Sequence, residues 1–167
     1  RGYQKLSDAP PPHRAAETLI DTLLGDVDIQ KQNSLALMQL VAASAGEDDF
    51  NSFQEEQLKT AAARLRDAYH AIGSQVKNQA KTLREQAEPH VRGEEAHRKE
   101  AAEQTDPKTA AVGLLAYAHD ERLAAEACFK HGHELDTLSE QLLAMTAEDV
   151  LLEMKGRAAA KIPKNDE

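Results

Sequence analysis

"LKTAAARLRDAYHAIGSQVKNQAKTLREQAEPHV", residues 58–91, places one apolar residue at every third or fourth position, with polar residues between them. Residues three and four apart lie on the same face of an α-helix, so this stretch predicts one long amphipathic helix. The average step is about 3.67 residues, which is closer to an eleven-residue repeat than to a heptad. The apolar stripe consists of Leu58, Ala62, Leu65, Tyr69, Ile72, Val76, Ala80, Leu83, Ala87 and Val91.

The helix that carries the stripe is predicted to run from Ser52 to Gln104, with Ser52 and Glu55 forming a capping box at its start. Pro89 removes one backbone hydrogen bond, so a kink is expected there. Residues 89–111 contain no Leu, Ile, Met, Phe, Tyr or Trp. Pairs of opposite charge four residues apart would support such a polar helix by about 0.3–0.5 kcal/mol each. These pairs are Lys81–Glu85, Arg84–Glu88, Glu88–Arg92, Glu94–Arg98, Glu95–Lys99 and Lys99–Glu103.

Two shorter helices are predicted before residue 52. The first covers residues 13–24 and ends at Gly25, and the second covers residues 29–45, begins after Asp28 and ends at Gly46. Their inward residues are predicted to be Leu19, Ile20, Leu23 and Leu24 in the first helix and Leu35, Met38, Leu40 and Val41 in the second.

Two further helices are predicted after residue 104. The fourth begins with Asp106 as its cap and Pro107 at its first position, and it ends near Met145. Thr146 and Asp149 then begin a short last helix. The inward residues of these helices are predicted to be Leu115, Leu123, Leu135, Leu138, Leu142 and Met145, followed by Val150, Leu151 and Met154.

All the predicted elements are helices, so the fold class is all-α. A helix of about 50 residues is about 75 Å long, and a short turn makes it antiparallel to the helix that follows. We therefore expect an elongated antiparallel helical bundle with a long, protruding two-helix hairpin. Residues 1–12 are expected to be an irregular lead-in, residues 13–160 one helical bundle domain, and residues 161–167 a polar tail or linker.

Composition excludes several classes of function. The net charge of −9 argues against a nucleic-acid partner, because phosphate binding needs clustered positive charge. Cys128 is the single cysteine, which excludes an internal disulfide and a cysteine-based zinc site. It also has no base beside it in the sequence, and a buried structural thiol is the expected role.

Candidate metal ligands are present but poorly placed. Asp67 with His70 and Glu94 with His97 have the carboxylate-x-x-His spacing of metal-binding bundles, but both pairs fall on one helix, about 40 Å apart. In "HGHE", residues 131–134, the two histidines are two residues apart and face different ways. The sequence therefore predicts no enzyme, no metal, no cofactor and no small-molecule substrate.

Two docking functions remain: binding to an anionic membrane surface, and binding to another protein as a helical adaptor or chaperone-like module. For the membrane function the predicted lipid-binding residues are Arg92, His97, Arg98, Lys99 and Lys108. Arg92 and Lys99 lie seven residues apart and share a helix face. Because the turn follows closely, His97 and Lys108 can join them.

The stretch "SDAPPPHRAAETLIDTLLG", residues 7–25, leads through short helices into the long hairpin. This layout, over residues 13 to about 145, resembles the four-helix-bundle membrane-localisation domains of bacterial toxins and type III effectors, in particular the lipid-raft-targeting type found in the Bordetella cytotoxic effector. The resemblance implies a non-catalytic targeting domain that docks on phosphoinositide-containing membrane through basic residues at one tip. It also implies a secreted effector acting at the cytoplasmic face of a host membrane, with a possible secretion chaperone as protein partner. Without that resemblance a cytoplasmic location is expected.

Overall fold

The computed structural model describes residues 14–47, 50–104 and 110–160, with side chains described as far as Gly156. These residues form an all-α helical bundle, which confirms the predicted fold class. The helices are α1 (Arg14–Ser44), α2 (Ser52–Ala102), α3 (Ala110–Leu143) and α4 (Ala147–Ala160). The predicted lead-in, the tail and the Asp106–Pro107 helix start lie outside the described residues.

Helix α1 corrects the prediction of two short helices before residue 52. Gly25 lies inside α1 and has no positive φ, and Asp28 bonds side chain to side chain with Gln32 instead of capping a new helix. Glycine inside a helix costs only about 1 kcal/mol relative to alanine, which the flanking helical turns can offset. Gly46 does end the helix as predicted, with φ at 72°.

Helix α2 continues through Pro89 without a break. Its capping box lies one residue before the predicted one. The Oδ1 of Asn51 accepts from the backbone N–H of Gln54, and the Oε1 of Gln54 accepts from the backbone N–H of Asn51, both at 2.9 Å.

The capping box that begins α4 has the predicted residues, since Thr146 and Asp149 bond reciprocally. The hydrogen bonds from Thr146 lower the pKa of the Asp149 carboxyl.

The predicted stripe of α2 is buried from Leu58 to Ala87, and Val91 is half-buried. From Leu58 to Val76 the buried residues alternate steps of four and three, as in a heptad repeat. A second consecutive step of four occurs from Val76 to Ala80 and again from Ala87 to Val91. These two points are eleven residues apart, so the stripe changes from a heptad pattern to the predicted eleven-residue period at Val76.

The described residues fall into two compact units. Unit 1 contains α1 up to Leu19 together with residues 75–138, and unit 2 contains residues 20–74 together with residues from Ser139 onward.

Small side chains form the α2–α3 contact in unit 1. They recur on both helices at intervals of seven or fourteen residues: Ala80, Ala87 and Ala101 on α2, and Ala111, Ala118, Ala125 and Gly132 on α3. A Cβ on Gly132 would lie only 3.4 Å from the carbonyl oxygen of Ala80, so the two backbones nearly touch there. In the antiparallel register set by this contact, Ala87 lies opposite Ala125 and Ala101 opposite Ala111. The close backbone approach lies at Ala80 and Gly132, before the polar part of α2, and the seven-residue spacing of small residues continues the same register to Ala101.

Unit 2 has a conventional core of larger side chains. Its fully buried members include Leu58 of α2 and the α4 residues Val150 and Met154. Ser139 is also buried, and its hydroxyl donates to the carbonyl of Gly73 at 3.0 Å.

Lys31 of α1 is buried in unit 2, with 2 % of its side chain exposed. Its Nζ donates to Glu153 of α4 at 2.8 Å and lies 5.2 Å from the ring centroid of Tyr69. Burial alone would lower the pKa of Lys31, but hydrogen bonding to Glu153 and Tyr69 outweighs it and raises the pKa above its ordinary value. The ammonium therefore stays charged and ties α1 to α4.

Several predicted inward residues are exposed, which corrects the sequence reading of α1 and α3. Leu40 and Val41 are 68 % and 41 % exposed, and Leu35 is buried as predicted. Three other residues that were predicted to face inward are also exposed: Leu19 of α1, and Leu115 and Leu123 of α3. Leu135 and Leu142 of α3 are buried as predicted, whereas the buried positions nearer the start of α3 are the alanines Ala111, Ala118 and Ala125.

Part of the predicted charge ladder is present on α2. Lys81–Glu85, Glu88–Arg92 and Glu94–Arg98 are within salt-bridge distance. Arg84 instead pairs with Asp136 of α3.

Because α2 and α3 pack closely, the fully buried Ala118 should not tolerate a larger side chain. Ala118→Leu should lower the free energy of unfolding by about 1–3 kcal/mol, because the extra methylenes force the two helices apart. Urea denaturation followed by circular dichroism measures this change. The matched control is Ala116→Leu, two residues away on the exposed side of α3, which should change the stability by less than about 0.5 kcal/mol. Equal effects of the two substitutions would contradict the close contact.

Candidate functional site

The predicted lipid-binding arginines are engaged with acidic neighbours on α2. Arg98 Nε bonds to the Glu94 carboxylate at 3.0 Å, and Arg92 Nη1 lies 3.5 Å from Glu88. Each of these carboxylates offsets the charge that its arginine would offer to an anionic surface. The positive potential here is weaker than the count of basic residues suggests.

Arg92 and Lys99 do lie on one exposed face of α2, as their spacing of seven predicts. The helical wheel places Glu88, Glu95 and Glu103 within about 60° of them. The face is therefore mixed in charge. Lys108, the last predicted member of the group, lies outside the described residues.

His97 differs from the other predicted members because it is half-buried. Its ring packs edge-on against Tyr117 of α3 with the centroids 4.7 Å apart, and its Nδ1 is buried with no hydrogen-bond partner in the described structure. Both residues line a cavity of about 370 Å³, the size of a small-ligand site. The other lining residues are Glu100, Gln104, Ala110, Gly113 and Leu114.

A histidine–glutamate pair joins α2 to α3 about two turns before His97. The Nδ1 of His90 donates to Glu121 at 2.6 Å, and Glu121 is only 12 % exposed. Gly93 leaves room for this carboxylate, since a Cβ there would lie 3.0 Å from it. The polar end of α2 is thus fixed to α3 by a buried polar contact as well as by alanines.

The outer face of α1 is the most apolar exposed surface in unit 2. We use this name for the large side chains Ile29, Leu37, Leu40 and Val41, which are 55, 54, 68 and 41 % exposed. Leu35 and Lys31 are buried on the opposite side of the same helix. Residues 32–46 carry no charged side chain. The solvent side of a surface helix normally carries charged residues, yet this side of α1 exposes large apolar side chains among uncharged polar ones.

The sequence pattern did not reveal this face, because the predicted inward stripe of residues 29–45 contained residues from both sides of the helix. The absence of charge over residues 32–46 was the signal that could have revealed it. A surface helix normally carries charged residues on its solvent side.

Cys128 is buried in unit 1, and burial raises the pKa of its thiol. The thiol form predominates in such a setting, and the thiolate is the reactive species. The predicted structural role therefore agrees with its surroundings.

One cluster of possible metal ligands occurs among the described residues. Glu17 of α1 and His131 and Glu134 of α3 have donor atoms that all lie within 4.8 Å of one another. The sequence could not show this set, because Glu17 belongs to a distant helix. The stretch "HGHE", residues 131–134, contains His131 and Glu134 but not the third ligand.

None of the helices in the described part of the chain is long and apolar enough to cross a membrane. No protein-family model, curated protein or solved structure matches this sequence.

Proposed function

We propose that this chain is a non-catalytic docking module that binds an amphipathic helix of a partner protein on the outer face of α1. The exposure of Ile29, Leu37, Leu40 and Val41 on one side of α1 carries this proposal, and the last three lie in the charge-free residues 32–46. Isolated exposed leucines are common on protein surfaces, but several large apolar side chains on one side of a helix mark an interaction site. A helix with anchors at i, i+3, i+4 and i+7 is the natural ligand for such a face.

The charges at the two ends of the face specify the partner further. Asp26 precedes the face, Glu47 follows it, and both are exposed. A partner helix with lysine or arginine beside its apolar stripe complements them. A second copy of this chain does not. An antiparallel copy would bring Asp26 against Glu47, and both copies carry a net charge of −9.

The test uses two labelled peptides with the same heptad-spaced leucines, one flanked by lysine and the other by glutamate. The lysine-flanked peptide should bind the full chain, as measured by fluorescence anisotropy. The double variant Leu37→Ser, Leu40→Ser should bind it about 30-fold more weakly, because each half-exposed leucine contributes about 1 kcal/mol on full burial. Both side chains face outward, so the helix content should not change.

The matched control removes two exposed apolar side chains from α3, Val112→Ser with Leu123→Ser, which are 61 % and 47 % exposed in the native chain. This control should bind like the wild type. An equal loss in the control, or equal binding of the two peptides at low salt, would refute the proposal. A wild-type dimer that dissociates in the Leu37→Ser, Leu40→Ser variant would identify a second copy as the occupant instead.

A second candidate function is docking on anionic, phosphoinositide-containing membrane through the polar end of α2. The observation that favours it is the exposure of Arg92 and Lys99 on one face, close in sequence to the unsatisfied Nδ1 of His97. Protonated imidazole can donate to a phosphate from Nδ1.

If the membrane function holds, the wild-type chain should sediment with phosphoinositide vesicles at low salt and be released as salt rises. Replacement of Arg92, Arg98, Lys99 and Lys108 by alanine should abolish this binding. A control with equal loss of charge, the exposed α2 residues Lys59, Arg64, Lys77 and Lys81 replaced by alanine, should still bind. Equal behaviour of the two variants, or no sedimentation of the wild type, would exclude the polar end of α2 as a lipid site.

A further inference from the structure

Glu17, His131 and Glu134 of unit 1 converge from two helices onto one point. His131 and Glu134 lie one turn apart on α3, and the His131 Nδ1 is 3.1 Å from a Glu134 carboxylate oxygen. Glu17 stands in the first turn of α1, with an oxygen 3.9 Å from the same nitrogen. We propose that these three side chains bind one divalent transition-metal ion of the zinc class, which would link the start of α1 to α3.

The spacing of the donor atoms fits a single small ion. Zinc takes nitrogen and oxygen ligands at about 2.0–2.2 Å, so two ligands on a tetrahedral ion lie about 3.4 Å apart. The distances of 3.1 and 3.9 Å from His131 fall on either side of this value. Small rotations of the two glutamate side chains, which are 49 % and 53 % exposed, would complete the geometry at little cost.

The donor types select the class of ion. An imidazole nitrogen with two carboxylates suits zinc and its transition-metal neighbours, whereas calcium and magnesium prefer oxygen ligands alone. The two carboxylates balance the charge of a divalent ion. Three protein ligands leave a coordination position for water.

The three side chains keep their positions without an ion because His131 can pair with either glutamate. The metal would compete with a proton for Nδ1, since a ligating histidine must be neutral. The proposed site differs from the sequence-based expectation that the chain binds no metal. It is independent of the proposed docking face, which lies in unit 2.

The experiment is titration of the purified, chelator-treated full chain with zinc, followed by competition with a chromophoric chelator and by thermal unfolding. We expect one ion per chain and a rise in the thermal midpoint with excess zinc. Glu17→Gln, His131→Ala and Glu134→Gln should each weaken binding by at least about tenfold, because even loss of an outer-shell partner costs that much. The visible spectrum of bound cobalt should change in all three variants.

His133→Ala and His90→Ala are the controls, since neither residue belongs to the cluster. Both variants should bind zinc like the wild type. Circular dichroism should show the same helix content in all five variants, so that a loss of binding reports on the ligands. Weak binding that exceeds one ion per chain, or wild-type affinity in Glu17→Gln, would overturn the proposal.

Discussion

The close contact between small residues on α2 and α3 is the constraint on which unit 1 depends. Ala80 and Gly132 bring the two backbones almost into contact, and the alanines at seven-residue intervals continue the same register. Large inward side chains such as Val76, Leu83 and Leu135 pack near Ala80 and Gly132, whereas Ala101 and Ala111 are the buried residues at the far ends of the two helices. This explains how α2 extends to Ala102 through a segment that is mostly charged. Polar links such as His90–Glu121 and Arg84–Asp136 then fix the register.

The same constraint decides where the apolar side chains of α3 go. Because α3 presents alanine and glycine to α2, its leucines Leu115 and Leu123 remain 45 % and 47 % exposed. In unit 2 the core takes up the larger residues, but α1 carries more apolar side chains than one core can bury. The surplus forms the outer face of α1. A docking module needs such an excess of apolar surface on a helix stretch without charge. An isolated bundle does not need it.

The sequence predicted the all-α class, the buried face of α2 from Leu58 to Ala87, the Thr146–Asp149 cap and the burial of Cys128. These features depend on local periodicity, on capping chemistry or on a single residue type. The stop at Gly25 was wrong because local propensity was overruled by the continuous contacts of α1. Leu135 and Leu142 of α3 are buried as predicted. The inward prediction was wrong for Leu115 and Leu123, because hydrophobicity alone does not reveal where small residues make the contact. The seven-residue recurrence of alanine was present in the sequence, but a search for large apolar residues passes over it.

The candidate sites were less predictable than the fold, for a related reason. Arg92 and Lys99 share a face because spacing fixes this. The pairing of Arg98 with Glu94 and the partial burial of His97 depend on rotamers and on α3. The cluster of Glu17, His131 and Glu134 depends on which helices are neighbours, and no local pattern contains that information. The outer face of α1 could not be identified from the sequence, because the sequence does not show which side of this helix packs against the core.

Disulfide trapping tests the α2–α3 contact most directly, in a chain whose native thiol is removed by Cys128→Ser. A disulfide forms only when the two Cα atoms lie within about 7 Å. The register places residues 87 and 125 opposite each other, so the pair Ala87→Cys, Ala125→Cys should oxidise rapidly and completely within the monomer. The pair Ala87→Cys, Ala118→Cys, displaced by two turns or about 10 Å, should remain reduced. Rapid oxidation of the displaced pair, or none of the matched pair, would contradict the account.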